Sequence, residues 1–162
     1  MAGAGSPLPG EQATAPLPQR LLVPFDGSDP ALRAAVMACR LARAGGGTVR
    51  LLSAIEPQGL RGLGAVLPSG TIGEAIRGIE QALRAAAETD LQRVRDVCAA
   101  AGVPCTSAVV FDIPVRAIVA AAADADLIVM GSRGHGAVAG AVLGSVAHRI
   151  LGATDRPVLV VH

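Results

Sequence analysis

Five short runs of apolar residues recur along the chain, and each is apolar almost throughout. A half-exposed strand would alternate apolar and polar positions, whereas a strand buried on both faces, as in a parallel sheet between helices, has this continuous pattern. The runs therefore predict five buried parallel strands: Arg20 to Phe25, Thr48 to Ile55, Thr106 to Phe111, Asp126 to Met130 and Pro157 to Val161.

Helical signals lie between these runs. Asp29-Pro30 begins the first helix, because proline is preorganised for the first helical position, and the glycines at 45–47 end it. The second helix has an apolar residue every three or four positions, and we expect this stripe to pack on the sheet. Its members are Ile76, Ile79, Leu83, Ala87, Leu91, Val94 and Cys98. Asp112 is expected to cap a third helix with Pro114 in its first turn, and a fourth runs from about Ser145 to Leu151.

Strands alternating with helices favour an α/β fold with an open, doubly wound, Rossmann-like parallel sheet and helices on both faces. Ligands of such sheets bind beyond the carboxyl ends of the strands, where the strand order reverses. Two unusual loops follow strands, one at 24–28 and one at 130–136. A glycine-rich connection from Pro57 to Gly78 is predicted to be a flexible flap near the same edge.

The length and composition predict one domain and exclude several kinds of protein. Residues 20–162 of the 162-residue chain form the predicted domain, and residues 1–19 a disordered tail without a leader or anchor pattern. A net charge of +1 and two aromatic residues argue against a nucleic-acid-binding surface. No apolar run is long enough to span a membrane. Three cysteines without metal or redox spacing predict buried thiols and a cytoplasmic protein.

The loop after the fourth strand contains the most informative motif. It reads Gly131-Ser132-Arg133-Gly134, and nine residues later Gly144-Ser145 precedes the last helix. Glycines let successive backbone amides turn towards an anion, the first turn of a helix adds further amides, and an arginine fork matches phosphate oxygens. This pattern indicates a phosphate site, with Ser145 adding a hydroxyl. The alternatives are glycines that serve only turns, a serine that only caps its helix and an arginine that is only solvated.

Two other phosphate-binding motifs fit less well. A P-loop is excluded because the chain contains no lysine. A GxGxxA pattern does occur from Gly134 to Ala139, with Asp155 at a suitable distance. However, Asp155 precedes the last strand instead of ending the next one, and no residues remain for a second nucleotide-binding half. A dinucleotide site is therefore not favoured.

Three stretches of this chain resemble the universal stress protein family: LLVPFDGS, ADLIVMGSRGHG and GSVAHRILGATDRPVLVVH. The resemblance covers about Arg20 to His162, and the spacing of Gly131, Gly134, Gly144 and Ser145 is similar to that of the ATP-binding branch. It implies a sheet of order 3-2-1-4-5, a site between the first and fourth strands, and ATP as the ligand.

The resemblance also implies roles for individual residues. Asp26 would hold the ribose, although its carboxylate could instead cap the turn at 27–28. Met130 would line the base or ribose, although a methionine ending a buried strand is often core. The family often has histidine near Ser53, so this chain departs from the pattern there. The full predicted ATP-binding set is Pro24, Asp26, Ala54, Met130, Gly131, Arg133, Gly134, Gly144, Ser145 and Val146.

We predict binding without dedicated catalysis. The only titratable candidates near the phosphates are His135, His148 and Asp26, and they form no recognisable catalytic arrangement. Mg²⁺ accompanying ATP would be held mostly by phosphates and water. The alternatives are a weak ATP hydrolase using His135 and a dimeric scaffold that binds no nucleotide.

The last predicted strand would be an edge of the sheet in the order that the resemblance implies. Bare edges invite pairing with another chain, and the family joins the last strands of two subunits there. We therefore predict a homodimer through Pro157 to Val161, with a helix or tail covering the edge as the alternative.

Overall fold

The strands form where the apolar runs predict them, and all five pair in parallel. The computed structural model describes residues 16–56, 72–134 and 143–162. Its strands are β1 (Arg20–Pro24), β2 (Thr48–Ile55), β3 (Cys105–Phe111), β4 (Leu127–Gly131) and β5 (Val158–Val161). Their order is β3-β2-β1-β4-β5, which confirms the predicted α/β fold and strand order. The order reverses between β1 and β4, so a crevice opens at their carboxyl ends.

Four helices connect the strands within the described residues: α1 (Asp29–Gly45), α2 (Ile72–Ala100), α3 (Pro114–Ala122) and α4 (Ser145–Leu151). The Ser28 hydroxyl caps α1 by accepting from the Ala31 amide at 3.4 Å. The predicted Asp112 cap of the third helix is wrong. Ile113 is the cap residue and provides no side-chain bond, because Asp112 accepts from the Ile113 amide at 2.7 Å, before the helix begins.

The sheet separates two apolar layers, and alternate residues of each strand face opposite layers. Val23, Leu51 and Val129 pack in the layer that contains α1 and α2. Leu22, Leu52 and the neighbouring β4 residues Ile128 and Met130 pack in the layer that contains α3 and α4. This alternation determines which side of the sheet each strand side chain faces.

The apolar stripe of helix α2 is buried along only the carboxyl-terminal half of the helix. Leu91, Val94 and Cys98 are buried, whereas Ile79 and Leu83 are 38% and 40% exposed. A 29-residue helix is about 44 Å long, whereas the eight residues of β2 span about 27 Å. The helix therefore outruns the sheet, and the prediction that its whole apolar stripe packs there is wrong for the amino-terminal half.

Arginines from α2 reach the β3 edge of the sheet. Arg84 Nη1 donates to the Val109 carbonyl at 3.2 Å, and its guanidinium lies 5.2 Å from the centre of the Phe111 ring. Arg95 Nη1 donates to Ser107 Oγ. The Arg84 contact engages a backbone group of this edge strand, and the Arg95 contact engages one of its side chains.

Cys39 of α1 and Cys98 of α2 form a disulfide, with their Cα atoms 5.8 Å apart. Both residues are buried, and Cys105 is a free thiol whose pKa is raised by burial. The prediction of three free buried thiols is therefore wrong for the first two. Packing of α1 against α2 brings together residues 59 positions apart, and no local spacing signals that pairing.

An ion pair ties the start of β1 to the turn before β4. Asp126 Oδ1 accepts from Arg20 Nη2 at 2.7 Å, while Oδ2 accepts from the Arg20 and Gln19 amides at 2.9 and 3.1 Å. The guanidinium of Arg20, together with these amides, lowers the pKa of Asp126 to about 2. Gln19, the last residue of the predicted tail, is thus hydrogen-bonded to the domain.

Two sequence predictions fall partly outside the described residues. Positions 57–71 of the expected flap lie outside them, whereas 72–78 belong to α2, so that part of the flap prediction is wrong. Of the expected tail, positions 1–15 lie outside the described residues. No helix in the described portion of the chain is long and apolar enough to cross a membrane.

Candidate functional site

A cavity of about 400 Å³ lies at the carboxyl ends of β1, β2 and β4. Small-molecule sites occupy about 300–1,000 Å³, so this space suits a ligand of ordinary size. Its sheet-side wall consists of alternate strand residues on the α3/α4 side, such as Leu52 and Ala54, or Met130 and Ser132. Pro114 and Ile118 of α3 form the opposite apolar wall.

The structure brings together all ten residues of the predicted ATP-binding set. Each lines this one cavity: Pro24, Asp26, Ala54, Met130, Gly131, Arg133, Gly134, Gly144, Ser145 and Val146. They come from β1, β2, β4, α4 and the loops beside them, and are up to 122 positions apart in sequence (146 − 24). Their convergence is a structural fact, whereas their roles in binding ATP remain predictions.

The loop after β1 turns sharply at Gly27, whose φ of 83° is accessible to glycine at little strain. Asp26 Oδ1 accepts from the Ser28 amide at 3.1 Å and from the Ser28 hydroxyl at 2.6 Å. The turn-capping role considered for Asp26 is thus present at one carboxylate oxygen. A Cβ added to Gly134 would overlap Asp26 Oδ2, so the loops after β1 and β4 meet across the cavity.

The glycines of the β4 loop are needed for two different close approaches. A Cβ at Gly131 would lie 2.7 Å from the Pro30 carbonyl carbon and 2.8 Å from the Ala31 nitrogen, so glycine there lets α1 pack against β4. Gly144 instead lies against residues 132–134 of the β4 loop. Its amide donates to the Ser132 carbonyl at 2.7 Å, and a Cβ added at Gly144 would lie 3.3 Å from Arg133 Cα. Backbone from 132–134 and 144 therefore gathers at one end of the cavity.

Eight further residues line the cavity that the sequence did not assign to the site: Phe25, Ala31, Leu52, Glu56, Pro114, Ile118, Ser132 and Ala147. Three of them could have been found from the sequence. Leu52, Glu56 and Ser132 are each two positions from Ala54 or Met130 on the same strand or its extension, so strand parity places them on the same face. Pro114 and Ile118 of α3 could not be assigned from the sequence, because they reach the cavity through the packing of that helix over β1 and β2, and no sequence motif indicates that packing.

Of the three titratable candidates, Asp26 lines the cavity, His148 is exposed on α4, and His135 lies outside the described residues. Within residues 16–56, 72–134 and 143–162, no group of three or more His, Cys, Asp or Glu side chains is placed to hold a metal ion. The polar groups at the cavity are suited to binding and orienting a ligand.

Comparison with known proteins gives consistent matches over nearly the whole domain. The family model "Universal stress protein family" matches residues 18–162. The chain is 36% identical over 144 residues to "Universal stress protein in QAH/OAS sulfhydrylase 3'region" of Thermus aquaticus, covering 87% of this chain and 96% of that protein.

Solved structures match as well. The structure of protein MJ0577 has a TM-score of 0.78 at 24% identity, covering 90% of this chain and 96% of that one. A universal stress protein in complex with cAMP has a TM-score of 0.65 at 28% identity, covering 90% and 98%. The first match concerns the fold, and the second comes from a protein that binds a nucleotide.

Proposed function

The chain belongs to the universal stress protein family, and on that premise we propose that it binds an adenine nucleotide, ATP, in the cavity between β1 and β4. Binding of this nucleotide would change the conformation or the partner choice of a stress-response and signalling module. The proposal includes no dedicated catalytic step. It also places the protein in the cytoplasm, where ATP is available; because the Cys39–Cys98 disulfide removes the argument from free thiols, this location rests on the proposed ligand alone.

One observation carries this proposal: a single cavity joins an apolar pocket to a glycine-rich, arginine-bearing end. Leu52, Met130 and Ile118 provide apolar surface for a flat base. At the other end, backbone of the β4 loop and Gly144 borders the cavity, and Arg133 supplies a fork of donors. Asp26 lines the same cavity, and its carboxylate faces Gly134 at the glycine-rich end, where it would accept hydrogen bonds from ribose hydroxyls. A nucleotide carries matching groups: an apolar base, a ribose with hydroxyl donors, and phosphates.

The comparison with solved structures supports a nucleotide in particular. The neighbour in complex with cAMP shares 28% identity with this chain over nearly its full length. Cyclic AMP contains an adenine, a ribose and one phosphate, which are the groups that the cavity of this chain is proposed to hold. The step from an adenine nucleotide in general to ATP rests on the glycine spacing after β4.

The positions of the described titratable candidates support binding over turnover. An ATP hydrolase needs a group that positions or activates water near the terminal phosphate. Asp26 Oδ1 is already engaged by Ser28, and His148 is exposed on α4. Mg²⁺ would arrive with ATP, held by phosphate oxygens and water rather than by a cluster of carboxylates.

We also propose that the protein is a homodimer joined through β5. This strand is one edge of the sheet, and Leu159 on it is 36% exposed. The other edge, β3, is engaged by Arg84 and Arg95 of α2. Arg33 of α1 contacts the chain just beyond β5, where its Nε donates to the His162 carbonyl at 2.9 Å, so the half-exposed apolar Leu159 on the strand itself favours pairing at β5, in a two-fold arrangement.

Calorimetric titration with Mg-ATP tests the nucleotide proposal. The wild-type protein should bind, and Arg133→Ala should weaken binding by about 10- to 100-fold, since hydrogen bonds between charged partners contribute about 1.5–3 kcal/mol. Arg40→Ala is the matched control, because Arg40 is an exposed arginine in the second half of α1, away from the loops at its start. Equal affinity of the two variants would remove Arg133 from the site.

Two further measurements distinguish the alternatives. If ATP leaves the melting temperature unchanged, the scaffold without nucleotide becomes the better function, because a ligand of the native state must stabilise it. Phosphate release that exceeds background, and that His135→Ala abolishes, would favour the hydrolase.

A further inference from the structure

Ser132 carries a buried hydroxyl that no group in the described residues satisfies. The residue is 1% exposed, and its Oγ has no hydrogen-bond partner among the described groups. Buried hydroxyls are nearly always paired, and an unpaired one is destabilising by about 1–3 kcal/mol. A buried hydroxyl of this kind indicates a hydrogen-bond partner from outside the described residues.

The backbone of Ser132 cannot move to find that partner. Its amide donates to the Val161 carbonyl of β5 at 2.7 Å, and its carbonyl accepts from the Gly144 amide at 2.7 Å. Both main-chain groups are engaged, one on each side. The hydroxyl oxygen can move only by rotation about the Cα–Cβ bond among three staggered positions, and because the oxygen is buried as it stands, such a rotation would bring it to a ligand in the cavity.

Strand parity places the Ser132 side chain on the cavity side of the sheet. A Cβ added at Gly131 would point towards Pro30 of α1, on the opposite side of the sheet. Met130 packs in the α3/α4 layer, and Ser132, two positions further, continues on that face and borders the cavity. Along the cavity wall, Ser132 lies between Met130 on the base side and the backbone at 133–134 on the phosphate side.

We propose that the Ser132 hydroxyl donates a hydrogen bond to the phosphate nearest the ribose of the bound nucleotide. This inference rests on the proposed nucleotide function and deepens it. It makes a nucleoside carrying at least one phosphate the ligand class that the site recognises, and the later phosphates add affinity elsewhere. An anionic oxygen is the suited partner, because a hydroxyl donates to it more strongly than to a neutral one.

Titration of wild type and Ser132→Ala with adenosine, AMP and ATP tests the proposal. Loss of a hydrogen bond to a charged group should weaken AMP and ATP by the same factor, about 10- to 100-fold, and leave adenosine unchanged. Ser53→Ala is the matched control. Ser53 is also buried near the end of a central strand, and parity directs it to the α1/α2 side, so all three affinities should stay at the wild-type values.

Each alternative result has a distinct meaning. If Ser132→Ala binds AMP and ATP as wild type does, the hydroxyl contacts no ligand and the inference is wrong, while the nucleotide function stands. If adenosine weakens by the same factor as AMP, the hydroxyl contacts the nucleoside and the phosphate assignment is wrong. If wild type binds none of the three, the proposed function itself fails.

The melting temperature without ligand gives a second, ligand-independent readout. Removing an unpaired buried hydroxyl should leave the melting temperature of Ser132→Ala equal to that of wild type or raise it. A clear fall would mean that the hydroxyl is already paired in the free protein, which overturns the premise of the inference.

Discussion

Substituting Gly131 by alanine tests whether this glycine serves packing. The added Cβ would lie 2.7 Å from the Pro30 carbonyl carbon, 2.8 Å from the Ala31 nitrogen and 2.9 Å from Pro30 Cβ. Ordinary contacts begin at 3.4 Å, so the first turn of α1 must move by about 0.7 Å (3.4 − 2.7). Two of the three atoms belong to backbone, which cannot rotate away as a side chain does.

The expected effect is a loss of stability with no ligand present. Overpacking of a close contact is destabilising by about 1–3 kcal/mol. In a domain of this size, 1 kcal/mol corresponds to about 2–4 °C, so Gly131→Ala should lower the melting temperature by about 2–12 °C. Because Asp26 lies only a few residues before the displaced turn, ATP binding should weaken as well.

Thermal unfolding followed by circular dichroism measures the effect, with Gly78→Ala as the matched control. A Cβ at Gly78 meets nothing within 4 Å, and the position is an exposed turn of α2, where alanine is favoured over glycine by about 1 kcal/mol. The same substitution should therefore be harmless or stabilising there. If Gly131→Ala melts at the wild-type temperature, the close approach of α1 to β4 is not as the structure has it.

Three other predictions follow from the fold. Thiol titration of the unfolded chain without reductant should count one reactive cysteine, rising to three after reduction, and three thiols before reduction would refute the disulfide. Because the Cys39–Cys98 bond closes a loop of about 60 residues, its reduction should lower the free energy of unfolding by about 4 kcal/mol. Because the pKa of Asp126 is lowered to about 2 in the folded protein, the ionised carboxylate stabilises the fold above its ordinary pKa of 3.8, and this stabilisation is lost as the pH falls towards 2. Asp126→Asn should therefore reduce the fall in the free energy of unfolding between about pH 4 and pH 2. An unchanged fall would contradict this. In urea unfolding, Leu91→Ala should be destabilising by about 2–5 kcal/mol and Leu83→Ala by less than about 1 kcal/mol, because of the two only Leu91 is buried. Equal effects would mean that both halves of α2 are buried against other parts of the protein.

The strand positions were predictable because a continuous apolar run reflects burial on both faces, and β2 begins and ends where its run does. Helix α2 shows the limit of the same reasoning. The period of its apolar residues identifies which face is apolar, but it contains no information on how far the sheet extends beneath that face. Ile79 and Leu91 follow the same pattern, and only the tertiary structure separates an exposed residue from a buried one.

The candidate site shows a related limit, because a motif identifies residues without giving their physical reasons. Gly131 and Gly134 belong to one spacing, yet a Cβ at Gly131 would strike the backbone of α1, whereas one at Gly134 would strike only the carboxylate of Asp26. The Asp26 side chain can shift at the cost of its hydrogen bonds to Ser28, whereas the backbone of α1 cannot rotate away, so the two glycines should respond differently to alanine. Gly134→Ala should lose less stability than Gly131→Ala and disturb the position of Asp26 at the cavity. For that reason Gly134→Ala, rather than any change at Gly131, separates a defect in binding from a defect in folding.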